Sequence, residues 1–215
     1  MVENTLTDTV RPIVAQVPRL PVPVVSSSVN YVGESCGKMS MDEKPASTVE
    51  GRIRRLEDKE SIRELAVRYG DYIDQRDPVG LRSVVTDDVR FSFTNGGMEL
   101  NGAYEIVDFF TRKLNEVSKR SLHVQHGHIV DLDPANPDLA TGTQFGHSEG
   151  VAQDPKEGVR LAAVRYEDIY RRVKERWRIA ERCVSFFYLV QASNYLQDVA
   201  SDTPVQGTPS LPANL

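Results

Sequence analysis

The chain has 215 residues, 40% of them hydrophobic and 27% charged, with a formal net charge of −5 at neutral pH. That composition suits one globular domain of about 140–150 residues plus tails. It excludes a nucleic-acid surface, because no block of Lys and Arg accompanies the acidic balance. It also excludes a membrane span, because no apolar run approaches the ~20 residues one needs. Cys36 and Cys183 lack metal-site spacing, and a reducing, cytoplasmic setting fits them.

Residues 1–48 read as a disordered extension rich in Pro, Val and Ser, and Met39 and Met41 are alternative starts to Met1. A helix is expected from Val49 to about Gln75. Its apolar face is Ile62, Leu65, Ala66, Tyr69, Tyr72 and Ile73, and its charged first half relies on Ile53 and Leu56. Asp74 falls at its C-terminal end, where the helix dipole disfavours a carboxylate, so a solvated Asp in a frayed turn is the plain alternative. Asp77 before Pro78 reads as the N-cap of a second helix reaching about Val85. Thr86-Asp87-Asp88 reads as a turn into a strand, Val89 to Phe93. Thr94-Asn95-Gly96-Gly97 is a hairpin signal before a short return strand, Met98 to Leu100.

Gly102 opens a third helix with the stripe Ile106, Phe109, Phe110, Leu114 and Val117. Strands are then expected over Leu122–Asp133, Leu139–Val151, Val159–Val173 and Trp177–Val190. In the first, Leu122, Val124, Val130 and Leu132 share a parity. Gly142, Gly146 and Gly150 share one in the second, which implies close packing. Lys174-Glu175-Arg176 makes the last two a hairpin. Residues 192–215 turn polar and Pro-rich and read as a loose tail. Helices followed by consecutive antiparallel strands imply an α+β fold, with about three helices on one face of a curved sheet.

Tyr69, Asp74, the Asp77-to-Leu81 helix and Asp87-Asp88 before the first strand resemble the SnoaL-like family of the nuclear transport factor 2-like superfamily, over roughly Val49 to Val190. The resemblance implies a cone-shaped domain over 49–191. Relatives include scytalone dehydratase, bile acid dehydratase and hexachlorocyclohexane dehydrochlorinase. In relatives that eliminate water or hydrogen chloride, a His on the strand after the third helix pairs with the Asp ending the first. The matching residues here are His123 and Asp74. The resemblance also implies roles for Tyr69 as a donor to a departing oxygen, for Arg182, five residues after Trp177, as an anion or carboxylate partner, and for His147 as a second histidine.

Each of these has a structural alternative. His123 can be an ordinary sheet histidine, Tyr69 core packing, Arg182 a partner for Glu167, Asp168 or a subunit interface, and His147 an exposed residue. Tyr166 and Asp168 share a parity and are candidates for the same pocket. Strict alternation puts His123 opposite His126 and His128, so all three share a site only if the strand carries a bulge. His126, His128 and His147 also raise a metal reading, but no nearby carboxylate supports it. No phosphate loop or nucleophile motif is present.

The favoured reading is an acid–base lyase, isomerase or cyclase without a cofactor. It would act on a small apolar, possibly cyclic, substrate and work as a homodimer or homotrimer. The alternatives are a non-catalytic ligand-binding or assembly module and, with less support, the small subunit of a ring-hydroxylating oxygenase.

Overall fold

The computed structural model describes residues 48–93 and 98–196. The expectations for the N-terminal extension, Cys36, the hairpin at 94–97 and the chain after 196 lie outside the described residues.

Helix α1 (Val49–Asp74) starts on Thr48, whose hydroxyl accepts the Gly51 N–H. Its second half buries Ile62, Leu65, Ala66, Tyr69 and Ile73, the expected face. Its first half does not: Ile53 and Leu56 are exposed. That half is held by a polar clamp, in which Asp58 accepts from Arg172 (2.7 Å) and from the Trp177 indole (3.1 Å). The Arg172 guanidinium stacks 4.4 Å from the Trp177 ring centroid.

Asp77 caps α2 (Pro78–Ser83) by accepting from the Val79 and Gly80 N–H groups, both at 2.9 Å. Strand β1 (Val85–Phe93) begins earlier than expected. Thr86-Asp87-Asp88 is strand rather than turn, because Val85 and Thr86 are buried, and a bulge lets the exposed Asp pair pass within the pairing with the last strand.

After β2 (Met98–Asn101) come α3 (Ala103–Asp108), a π-helical turn (Phe109–Lys113) and α4 (Leu114–Val117). The π turn brings Phe109 and Phe110 edge to face, 5.0 Å between centroids, toward one side. Four long strands follow: β3 (Ser118–Leu132), β4 (Leu139–Ala152), β5 (Val159–Val173) and β6 (Arg176–Gln191).

The six strands form one curved sheet in the order β2-β1-β6-β5-β4-β3. Every neighbouring pair is antiparallel except β1–β6, which is parallel. The fold is α+β, with the helices against the sheet face that carries Phe91, Val130, Tyr170 and Ile179.

A bulge between Gln125 and His128 changes which β3 side chains face the helices. Before it Ser121, His123 and Gln125 face in; after it His128, Val130 and Leu132 do. Leu122 and Val124, expected to share a face with Val130 and Leu132, therefore lie exposed on the other side.

The β5–β6 hairpin turns on Lys174 and Glu175, both left-handed (φ 50° and 62°). A two-residue turn of this kind favours Asn-Gly. Replacing Lys174-Glu175 with Asn-Gly should stabilise the domain by about 1 kcal/mol. Thermal melting should then rise by about 2–4 °C, and an unchanged or lower midpoint would contradict this turn.

Candidate active site

The site begins where α1 ends. The chain leaves the helix through a Schellman turn: the Arg76 N–H bonds the Ile73 carbonyl (3.1 Å) and the Asp77 N–H bonds the Tyr72 carbonyl (2.9 Å). Arg76 occupies the left-handed position (φ 56°) usually given to glycine, at a cost of about 1–2 kcal/mol. The last helical residue before this turn is Asp74.

Asp74 faces β3, an edge strand of the sheet. One carboxylate oxygen accepts the His123 backbone N–H (2.7 Å), and the other lies 2.6 Å from Nδ1 of the same histidine. A carboxylate accepts only, so Nδ1 carries the proton, and Nε2 is the ring nitrogen Asp74 does not engage. Burial alone raises the Asp74 pKa. The hydrogen bonds and charge of His123, with the Ser121 hydroxyl, outweigh this and hold it below the ordinary carboxylate value. Both side chains are largely buried, so this is not a frayed, solvated helix end. Gly70 permits the approach: a Cβ there would lie 3.0 Å from the Gln125 amide and 3.1 Å from the His123 Cβ.

His123 lines a cavity of about 490 Å³. The cavity walls are mainly apolar, including Phe93, Phe109, Phe110, Val164, Val184 and Phe186, and Tyr69 and Tyr166 form part of the lining. That volume suits a small organic molecule.

The sequence pattern missed Ser148. It pairs directly across from His123 and also lines the cavity. Because the His123 N–H goes to Asp74, this is a non-hydrogen-bonded pair, the kind whose side chains sit closest. The β4 alternation could have found it, since Ser148 shares the inward parity of Gly142 and Gly146.

His147 is one residue away and on the opposite face. It is exposed and lies 2.7 Å from His126, also exposed, so the structure does not bring it to the cavity. The same bulge separates His126 from His128, so the three histidines of the metal reading do not converge. No group of three or more His, Cys, Asp or Glu suited to a metal is found among the described residues.

Arg182 is not part of the lining. It is buried one layer below, with Nε and Nη2 donating to the two Asp168 oxygens, each at 2.8 Å. Its guanidinium lies 4.3 Å from the Tyr69 ring centroid and 4.4 Å from that of Tyr166. Arg182 is thus a platform carrying two of the cavity's tyrosines. Burial pushes the Tyr69 phenol far above its ordinary value, with Arg182 opposing, and takes Tyr166 up to about 12 against the same opposition. Both remain neutral O–H groups.

Asp168 also accepts from the Tyr170 hydroxyl (2.5 Å), which lies 3.1 Å from His128 Nε2. Gly142 makes room, as a Cβ there would meet both the His128 and Tyr170 rings at 2.9 Å.

The chain belongs to the SnoaL-like domain family. The family model matches residues 54–183. Solved structures agree on the fold. A hexachlorocyclohexane dehydrochlorinase of type 2 is 16% identical with a TM-score of 0.59, covering 75% of this chain and 98% of its own. A candidate scytalone dehydratase from Novosphingobium aromaticivorans is 12% identical with a TM-score of 0.58, covering 64% and 89%. A nuclear transport factor 2-like superfamily protein from Salmonella enterica is 17% identical with a TM-score of 0.53, covering 61% and 92%. No helix among the described residues is long and apolar enough to cross a membrane.

Burial drops the His128 pKa from 6.5 to about 4; Asp168 opposes this, and Arg182 and Arg63 add to it. The unfolded chain therefore binds a proton at His128 from about pH 6.5 downward, while the folded chain does not until about pH 4. Stability from this group is present above pH 6.5 and lost between about 6.5 and 4. Asp74, with a depressed pKa, acts only below that window. His128→Asn should flatten the melting temperature between pH 7 and 4.5 relative to the parent. Parallel profiles would contradict the assignment.

Asp168→Asn leaves the Arg182 charge without its partner and should cost about 3–5 kcal/mol in denaturant unfolding. A loss under about 1 kcal/mol would mean the pair is not the platform described.

Proposed function

We propose that this SnoaL-like protein is an acid–base lyase of the dehydratase or dehydrohalogenase type, acting on a small apolar, ring-containing substrate. The observation that carries the reading is the 2.6 Å contact between Asp74 and His123 Nδ1 beside an apolar cavity. His123 Nε2 would take a proton from carbon, and Asp74 would stabilise the imidazolium that forms. The electron pair of the broken C–H bond becomes the new double bond as the leaving group departs with its own bonding pair. Tyr69, Tyr166 or Ser148 would hydrogen-bond that departing atom; their hydroxyls donate without changing charge. An isomerase or cyclase would use the same proton transfer. Arg182 acts in this reading through Tyr69 and Tyr166, and His147 has no part in it. The family relationship and the dehydrochlorinase and dehydratase neighbours support the reaction class.

A binding module on the same fold is the second reading. A largely buried carboxylate behind a histidine that lines the cavity favours the enzyme, because burying that charge is costly where only apolar binding is needed.

The test is turnover of cyclic alcohols and halides by the parent, Asp74→Asn, His123→Gln and the double variant, with melting curves alongside. Each single change should slow the reaction by about 10²–10⁴-fold. The double should be little worse than the poorer single, because both serve one proton transfer. Melting should change little. Full activity in either single variant, or additive losses, would remove the pair from the reaction.

We also propose self-association through the outer sheet face, as a homodimer or homotrimer. Leu122, Val124, Ile129 and Phe145 are exposed there, and Phe145 stacks on Phe187. Sedimentation at micromolar concentration should give a species larger than one chain, and a monomer alone would contradict this.

A further inference from the structure

Arg76 occupies a position where glycine is the usual residue, so the reason for an arginine must lie in its side chain. That side chain is half-buried and fully engaged. Nε donates to Asn115 Oδ1 (2.6 Å), and Nη1 donates to the Ile73 carbonyl (2.8 Å) and to Ser121 Oγ (3.0 Å). Nη2 reaches the Ser118 carbonyl at 3.5 Å.

These partners bracket the Asp74–His123 pair. Ile73 immediately precedes Asp74. Ser121 lies two residues before His123 on the same inward face, and its hydroxyl helps hold the Asp74 pKa down. Asn115 belongs to α4, and its amide reaches back to the Thr111 carbonyl in the π turn beneath the cavity's phenylalanines. The positive charge also stands beside a carboxylate at the wrong pole of its own helix.

We propose that Arg76 is a positioning residue for the Asp74–His123 pair: it clamps the last turn of α1 to the first part of β3 and so fixes the distance at which the carboxylate meets the imidazole. This rests on the reading of that pair as the working site. Of the other titratable groups lining the cavity, Tyr69 from α1 and Tyr166 from β5 stay neutral, and Glu149 from β4 and Arg160 from β5 complete the set. Without the clamp, α1 and β3 still pack through Gly70. The turn that carries the carboxylate is then no longer tied to β3 at a fixed distance, and the imidazole is no longer confined to one tautomer.

The test uses Arg76→Gly and Arg76→Lys in the full chain. Glycine suits the left-handed turn, so Arg76→Gly keeps the backbone while deleting the clamp. Melting should therefore stay close to the parent. Proton–nitrogen NMR of the histidine rings at neutral pH reads the pair directly, with no substrate. The parent should show a downfield Nδ1–H signal for His123 and a single tautomer. Arg76→Gly should lose that signal and show mixed tautomers, and Arg76→Lys, which keeps charge but not the fork, should restore it in part.

An unchanged His123 signal in Arg76→Gly would overturn the proposal. If that variant melts far below the parent, Asn115→Ala carries the test, because it removes one anchor and leaves the turn intact. Loss of the signal there supports the clamp, and retention overturns it. Absence of turnover on any substrate would count against the lyase reading alone, since the tautomer is read without one.

Discussion

One carboxylate does two jobs at the centre of this protein. Asp74 accepts the backbone N–H of His123 with one oxygen and meets its ring nitrogen with the other. The first contact caps an N–H that an edge strand would otherwise leave open, and so fixes the strand against the helix. The second sets the imidazole. Packing and the proposed chemistry are thereby joined: any shift of α1 along β3 that damages the packing also disturbs the Asp74–His123 contact. Gly70 on the helix and Arg76 in the turn beyond it make the same joint from either side.

Beneath the cavity a different interaction carries the load. Arg182 and Asp168 are both buried and would be costly there alone. Two hydrogen bonds between them, a third from Tyr170 and two tyrosine rings stacked on the guanidinium offset that cost. Tyr69 belongs both to the cavity lining and to the apolar core that includes Leu132, Ile179 and Tyr170. The guanidinium lies against the rings of both Tyr69 and Tyr166, which line the cavity.

Much of this was legible from residue spacing. The apolar face of α1, the Asp77 cap and the final hairpin follow from periodicity and turn chemistry, because each is decided within a few residues. The Asp74–His123 pair came from the family resemblance, and the Arg182–Asp168 pairing stood among the alternatives for an arginine amid apolar neighbours. The departures on β3 have one physical source. A bulge is a single extra residue that reverses inside and outside, and period-2 reasoning carries no signal of where it falls. The bulge in β3 put Leu122 and Val124 outside and separated His128 from His126. On β4 the resemblance pointed to His147, while the regular alternation of the strand gives the cavity position to Ser148. Arg76 was missed for another reason: a helix-ending arginine at positive φ looks in sequence like any surface charge. The exposed Ile53 and Leu56 show that a helix face can be anchored by one polar clamp, Asp58 with Arg172 and Trp177, that spans more than a hundred residues of sequence.

Proton exchange from a carbon acid measures most directly whether His123 acts as a base with access to the apolar cavity. A bicyclic aryl ketone with an acidic methylene, incubated in deuterated buffer, reports abstraction without needing the natural leaving group. The protein should speed deuterium incorporation over buffer, saturation should follow filling of the cavity, and His123→Gln should lower the rate by about 10²–10⁴-fold. Equal incorporation by the parent and His123→Gln, with the ketone shown to be bound, would contradict that role for His123.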